Sequence, residues 1–450
     1  MISLQKHINS PISIAPLAAF RILFGCIMLI STIRFMAKGW IEQLYVSPDF
    51  YFTYYGFDWV QPFGLLGMYT VFTLLGLAAL GIMLGYRYHL STILFFIGFS
   101  YVELLDKSNY LNHYYFVSII SFLLIWVPAN KNWSLDVWRK PDLKRNEVPA
   151  WCINIFKLQL GIVYFYAGLA KLNPDWLLHA MPLKIWLPAH TDLPIIGKLL
   201  TQEWVAYAFS WSGALYDLFI PFLLLMPATR MGAFFMVVTF HILTRILFPI
   251  GMFPYIMILS TLIFFSPAWH ERNFKWIGNL FNTPPSISNS NLLWQTSYKK
   301  GIYTLLMVFF TIQLLAPFRY QLYNGNLFWT EQGYRFSWRV MLAEKAGNAT
   351  FYVKESANGK EAQIDIQPYL APHQEKQMSF QPDMILQFAH FLENEYQKKG
   401  IENPIIRAEV YVTLNGRKSE LLIDPTADLT EQSYNLRPRN WILPQTFANR

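Results

Sequence analysis

The sequence predicts an α-helical polytopic membrane protein of about nine spans, followed by a small α+β domain outside the membrane. Three observations carry this prediction. Hydrophobic residues make up 54% of the 450 residues, and charged residues only 14%. Several apolar runs approach the roughly 20 residues needed to cross a bilayer. After Phe318 charged residues become frequent and apolar runs short, so a second unit begins near Arg319. The chain therefore divides into a transmembrane helical domain, 1–318, and an extracytoplasmic α+β domain, 319–450.

The first apolar run, about Ile14 to Met36, is too long for a signal-peptide core and has no small-residue cleavage pattern after it, so it is read as a span. Further runs are Phe63 to Leu84, His89 to Leu105, Tyr110 to Val127, Trp151 to Leu172, Ser210 to Met226, Met231 to Ile246, Gly251 to Ser266 and Gly301 to Phe318. The short ones suit tilted or shielded segments. With a cytoplasmic N-terminus, Arg87, Lys131, Arg139, Lys140, Lys144, Arg145, Arg230, Arg272, Lys275, Lys299 and Lys300 fall inside. The outer short loops hold fewer basic residues, chiefly Lys38, Lys107, Lys184, Lys198 and Arg245. The bias predicts an N-terminus inside and a C-terminal domain outside.

That topology accounts for most of the +8 formal charge, and no basic stripe points to DNA or RNA. Cys26 and Cys152 lie within or beside spans, which argues against a disulfide framework, a thiol redox pair or a cysteine metal cluster. The polar tract Asn282 to Asn291 connects spans eight and nine.

In the C-terminal domain two hairpins are expected. Ala349–Lys354 and Glu361–Ile366 flank Asn358-Gly359, and Ile405–Leu414 and Ser419–Ile423 flank Asn415-Gly416. Between them, Met384, Leu386, Phe388, Phe391 and Leu392 fall at helical spacing within Pro382–Lys399, which stops at Gly400.

On this topology the fifth span ends outward at Lys171 and the fourth begins there with Asn112-His113. The seventh ends near His241 and Arg245, before Phe248-Pro249-Ile250. Lysines near span ends commonly snorkel to headgroups. A lone helical histidine is commonly a packing residue, Asn112 suits a bond to a neighbouring helix, and Tyr164, Phe248 and Tyr255 suit core or interfacial belts. The chemical alternative is a desolvated Lys171 that accepts a proton as a free amine, with His113 and Asn112 hydrogen-bonding a developing oxyanion. No metal motif competes, since His241 and Arg245 complete no site and HExxH is absent. No phosphate loop, GxGxxG or GxSxG is present.

Three segments carry a resemblance: Leu105-Asp-Lys-Ser-Asn-Tyr-Leu-Asn-His113, Ile162-Val-Tyr-Phe-Tyr-Ala-Gly-Leu-Ala-Lys-Leu-Asn-Pro-Asp-Trp176 and Leu247-Phe-Pro-Ile-Gly-Met-Phe-Pro-Tyr255. They resemble the vitamin K-dependent gamma-glutamyl carboxylase family, as do Ala129–Asp136, Tyr334–Trp338 and Ile423–Pro425, in the same order along nearly the whole chain. The resemblance implies a membrane enzyme that uses reduced vitamin K, oxygen and carbon dioxide to carboxylate glutamate in a protein or peptide. The cofactor would supply the base that no side chain can.

By the same resemblance, Lys171 matches the lysine that removes the hydroquinone proton, and His113 with Asn112 the polar pair beside it. Tyr164, Phe248 and Met252 resemble quinone-pocket positions. Pro249 and Val340 depart from the residue types expected there. The alternatives are a quinone-oxidising or epoxidising enzyme without carboxylation, and a non-catalytic membrane binding module.

Overall fold

The computed structural model describes residues 8–280, 294, 298–355 and 359–446. Seven helices have the length and hydropathy of full membrane crossings: Ala15–Ala37, Gly64–Leu84, Tyr88–Leu105, Trp151–Lys171, Glu203–Leu225, Arg230–Leu247 and Lys299–Leu322. Phe253–Phe264 and Pro267–Trp276, bent by 112°, make an eighth if counted as one span. Asn112–Ile125, the ninth expected run, is apolar but has only 14 residues. All nine runs are helical, and two fall short of a full crossing.

Each shortfall has a local cause. The fourth helix starts late because Asp106 accepts from the Ser108 amide and folds Lys107–Asn109 into a tight turn. The eighth gives way to a 3-10 turn, Leu262–Phe264, before Pro267, whose ring disfavours helix in the residue ahead of it. The sixth begins at Glu203, two turns before the expected Ser210. The tract Asn282–Asn291 lies outside the described residues.

Sequence periodicity missed a two-stranded sheet, β1 (Pro11–Ser13) with β2 (Glu147–Pro149), whose strands are too short to show alternation. Buried Arg21 satisfies carbonyls at the end of the second span and in the loop after the fourth. It donates to Ile82 and Met83 O, both at 2.7 Å, to Ala129 O at 3.1 Å and to Trp133 O.

The C-terminal domain is a four-stranded antiparallel sheet in the order β4-β3-β5-β6, with β3 Lys345–Glu355, β4 Glu361–Gln363, β5 Pro404–Leu414 and β6 Glu420–Leu421. Burial alternates along most of β5, as the strand period of two demands when one face is covered. The expected helix forms over Pro382–Lys398 and buries Met384, Ile385, Phe388 and Leu392 in a core with Phe351, Ile406, Val410 and Val412. Asn415 and Gly416 both have positive φ, the requirement of the tight hairpin turn between β5 and β6. In the first hairpin β3 pairs with β4 and Gly359 has φ +67, while Asn358 lies outside the described residues.

Polar contacts fasten this domain to the loops between spans. Lys107 and Arg335 both pair with Asp383, at 2.9 and 2.8 Å. Gln374 donates to Asp106 at 2.7 Å, and Phe52, from the loop after the first span, is buried in the domain core. Burial alone would raise the Asp383 carboxyl, but Arg335, Lys107 and Arg439 outweigh it and hold it well below the ordinary 3.8. Burial lowers the Lys107 ammonium to about 8 despite Asp383.

Asp383→Asn leaves two buried cations without their anion and is expected to cost about 3–5 kcal/mol, read as a lower Tm in detergent. Because the carboxyl is depressed in the folded state, its contribution is complete above pH 3.8 and is lost as pH falls through the folded value. The stability difference between wild type and variant should shrink in that acid range, and also as pH rises through about 8, where Lys107 loses its proton.

Candidate active site

The site grows out of the phrase Lys171-Leu-Asn-Pro-Asp-Trp176. Pro174 stands at the first position of the short helix Pro174–Leu177, and Asn173 caps it by accepting from the Trp176 amide at 3.0 Å. The chain therefore turns sharply at the end of the fifth span. Trp176 folds back under it, donating from Nε1 to Ser210 O at 2.8 Å and accepting from Ser210 Oγ. Asp175 faces the C-terminal domain, where it accepts from Asn415 at 2.7 Å and pairs with Arg417.

Lys171 does not snorkel. Its Nζ lies 2.5 Å from Asp217 Oδ2 of the sixth span, with each side chain 7% exposed. The ammonium also lies 5.3 Å from the Trp176 ring centroid, a cation–π contact. Gly168, one turn earlier, makes this approach possible. A Cβ there would come within 2.6 Å of the Leu218 backbone nitrogen, so only glycine lets the fifth and sixth spans touch beside the pair.

Lys171 and Asp217 line an apolar cavity of about 100 Å³ together with Tyr164, His241, Phe248 and Phe253. Tyr164 Oη and His241 Nε2 lie 3.1 Å apart, and His241 Nδ1 is buried without a hydrogen-bond partner among the described residues. Beside it, a polar cleft of about 570 Å³ is lined by Arg34, Lys107, Asn112, His113, Arg335 and Arg339, among others. Ile250, Phe253, Val340 and Met341 line both spaces. The Phe253 ring sits between the histidines, 5.8 Å from His113 and 5.7 Å from His241 between centroids.

The segment Tyr334–Met341 closes the site from the domain side. Phe336, Trp338 and Met341 have positive φ, a conformation unfavourable for residues with side chains and held here by the surroundings. Phe336 N donates to Tyr110 Oη at 2.8 Å, Tyr110 donates to Asn112 Oδ1 at 3.1 Å, and Asn112 Nδ2 donates to Arg339 O at 2.8 Å.

The six residues singled out from sequence divide accordingly. Lys171, Tyr164 and Phe248 line the apolar cavity. His113 and Asn112 line the neighbouring cleft, and the Asn112 amide is engaged in holding the Tyr334–Met341 segment. Met252 lines neither space and packs against the membrane core, because it caps the eighth helix. At the end of the seventh span, Arg245 is exposed and His241 buried.

Sequence reasoning missed Asp217 and Phe253. Asp217 carried a legible signal, since an acidic residue inside an apolar span faces a partner or a functional cavity. Phe253 lay within the Leu247–Tyr255 segment, but nothing there set it apart from the other 36 phenylalanines.

The fold and site define a polytopic membrane protein with a buried ion pair at an apolar cavity beneath a small α+β domain. The family model described as HTTM domain matches residues 9–269, and that described as vitamin K-dependent gamma-carboxylase, lumenal domain, matches residues 298–447. The chain belongs to the vitamin K-dependent gamma-carboxylase family and is an integral membrane protein with a lumenal C-terminal domain. No solved structure matches it significantly.

Asp217→Asn is expected to destabilise the protein by about 3–5 kcal/mol, because it leaves a buried ammonium uncompensated. The apolar double variant Lys171→Met with Asp217→Leu should recover most of that loss in thermal unfolding. Gly168→Val should lower Tm by separating the two spans, whereas Gly232→Val, where nothing lies within 4 Å of an added Cβ, should not.

Proposed function

We propose that this protein carboxylates glutamate side chains of a protein or peptide at the expense of reduced vitamin K, with its N-terminus cytoplasmic. In that reaction hydroquinone, oxygen, carbon dioxide and a glutamyl side chain give quinone epoxide, γ-carboxyglutamate and water. The observation that carries this reading is the buried Lys171–Asp217 pair at the end of an aromatic cavity, in a chain of this family.

The residues suit the bound quinone. The cavity wall is apolar and aromatic, with few convergent polar groups, as a flat ring entering from lipid requires. The hydroquinone would supply, with oxygen, a base strong enough for the glutamate γ-hydrogen. The hydroquinone proton passes to the Lys171–Asp217 pair, which takes it up at Nζ when the proton the two groups share sits on Asp217 Oδ2, 2.5 Å away, since only the free amine accepts it. Asp217 orients that amine and balances the charge it acquires. Tyr164 and His241 offer a second polar contact across the cavity, and Phe248 covers the ring.

His113 acts from the cleft side. Neither ring nitrogen is taken by another side chain among the described residues, so it is available to a peptide glutamate on the far side of Phe253. Asn112 serves it indirectly by fixing the Tyr334–Met341 segment. Residues 1–318 thus carry the chemistry, and residues 319–450 cover the site and present the peptide.

Purified protein given reduced vitamin K, oxygen and labelled carbon dioxide is expected to label a glutamyl peptide and release epoxide in matching amounts. Lys171→Ala should lower both by about 10²–10⁴-fold. Epoxide without fixed label would favour an oxidase, and neither product from folded protein would overturn the enzymatic reading.

A further inference from the structure

We infer that Arg34 is the carboxylate-binding residue of the polar cleft, pairing with an acidic side chain of the bound peptide. The inference rests on the proposed function for the identity of that peptide, but its test is a binding measurement.

Arg34 lies in the last turn of the first span and lines the cleft together with His113. Its guanidinium carbon lies 5.0 Å from the Trp40 ring centroid, a contact that holds the plane of the group. A Cβ built on Gly251 would lie 3.9 Å from one of its terminal nitrogens, so the loop leading into the eighth helix passes close beside it. Among the described residues no carboxylate pairs with Arg34, and its Nε is buried without an acceptor. An arginine that served only the helix dipole would reach water or headgroups. This one lines the cleft, with its Nε packed away and without an acceptor among the described residues.

Several other charges of the cleft have partners. Lys107 and Arg335 share Asp383, Lys345 pairs with Glu331 at 3.2 Å, and Glu344 accepts from Trp186 at 2.6 Å. Arg339 also has an unpartnered Nε, but its guanidinium lies 4.7 Å from the ring centroid of Tyr320, which does not line the cleft. Lys376 belongs to Pro372–Met378, on the domain side. Among the described residues Arg34 is therefore the cleft arginine on a membrane helix that has no carboxylate partner, and a guanidinium takes a carboxylate in a bidentate manner.

The experiment uses full-length protein in detergent and two peptides that differ only by Glu or Gln at one position. Their binding is measured for wild type, Arg34→Gln and Arg34→Lys, with Tm recorded for each. Arg34→Gln is expected to weaken the Glu peptide tenfold or more, about 1.4 kcal/mol, and to leave the Gln peptide unchanged. Arg34→Lys, which keeps the charge but loses the fork, should fall between and covers the case in which Arg34→Gln does not fold. Equal weakening of both peptides, or none, in a variant of unchanged Tm would overturn the inference. Glu selectivity that depends on Arg34 without carbon dioxide fixation would support Arg34 and overturn the carboxylase reading. Fixation with a cleft indifferent to Glu or Gln would do the reverse.

Discussion

Two opposite charges held 2.5 Å apart among membrane helices are expensive to bury, and the architecture around Lys171 and Asp217 is arranged to keep them together. The fifth and sixth spans approach at Gly168, the one residue type that permits the contact. Trp176 returns beneath the ammonium because Asn173 and Pro174 end the span abruptly. Asp175 of the same phrase ties the turn to the C-terminal domain through Asn415 and Arg417. A single stretch of six residues thus sets the charge, its shield and the attachment of the domain above it.

A second constraint is the separation of two chemical environments. One space is apolar and holds the ion pair, and the other is polar and lined by arginines and His113, with Phe253 between the histidines. On the proposed function, an apolar wall of this kind keeps water from the base formed beside it. The irregular Tyr334–Met341 backbone supplies part of the wall. It is tolerated beside the membrane helices because the protein itself satisfies its polar groups, Tyr110 and Asn112 among them.

Much of this was legible in the chain. Apolar runs located every span because a bilayer imposes their length, and Asn415-Gly416 located a hairpin because its turn demands positive φ at both positions. The helix Pro382–Lys398 followed from spacing alone. The pairing of β3 with β5, separated by the whole helical segment, was not legible, since residue patterns do not name non-local partners. Lys171 drew attention by its position, yet its partner was overlooked although Asp217 interrupts an apolar span. Met252 was assigned to the quinone pocket by resemblance, and it stands at the turn into the eighth helix, partly buried against the core. The place of His113 across Phe253 from the ion pair depends on how four helices pack, which no local pattern records.

The central claim is that the cavity at Lys171 and Asp217 receives the hydroquinone. The most direct measurement is photolabelling of the intact protein by a photoreactive vitamin K analogue in its reduced form, with the labelled residues mapped by mass spectrometry. The account expects label on the fifth and seventh spans and on the Phe248–Phe253 segment, removed by excess vitamin K. Label confined to the C-terminal domain, or spread over lipid-facing helices and unaffected by the competitor, would contradict it.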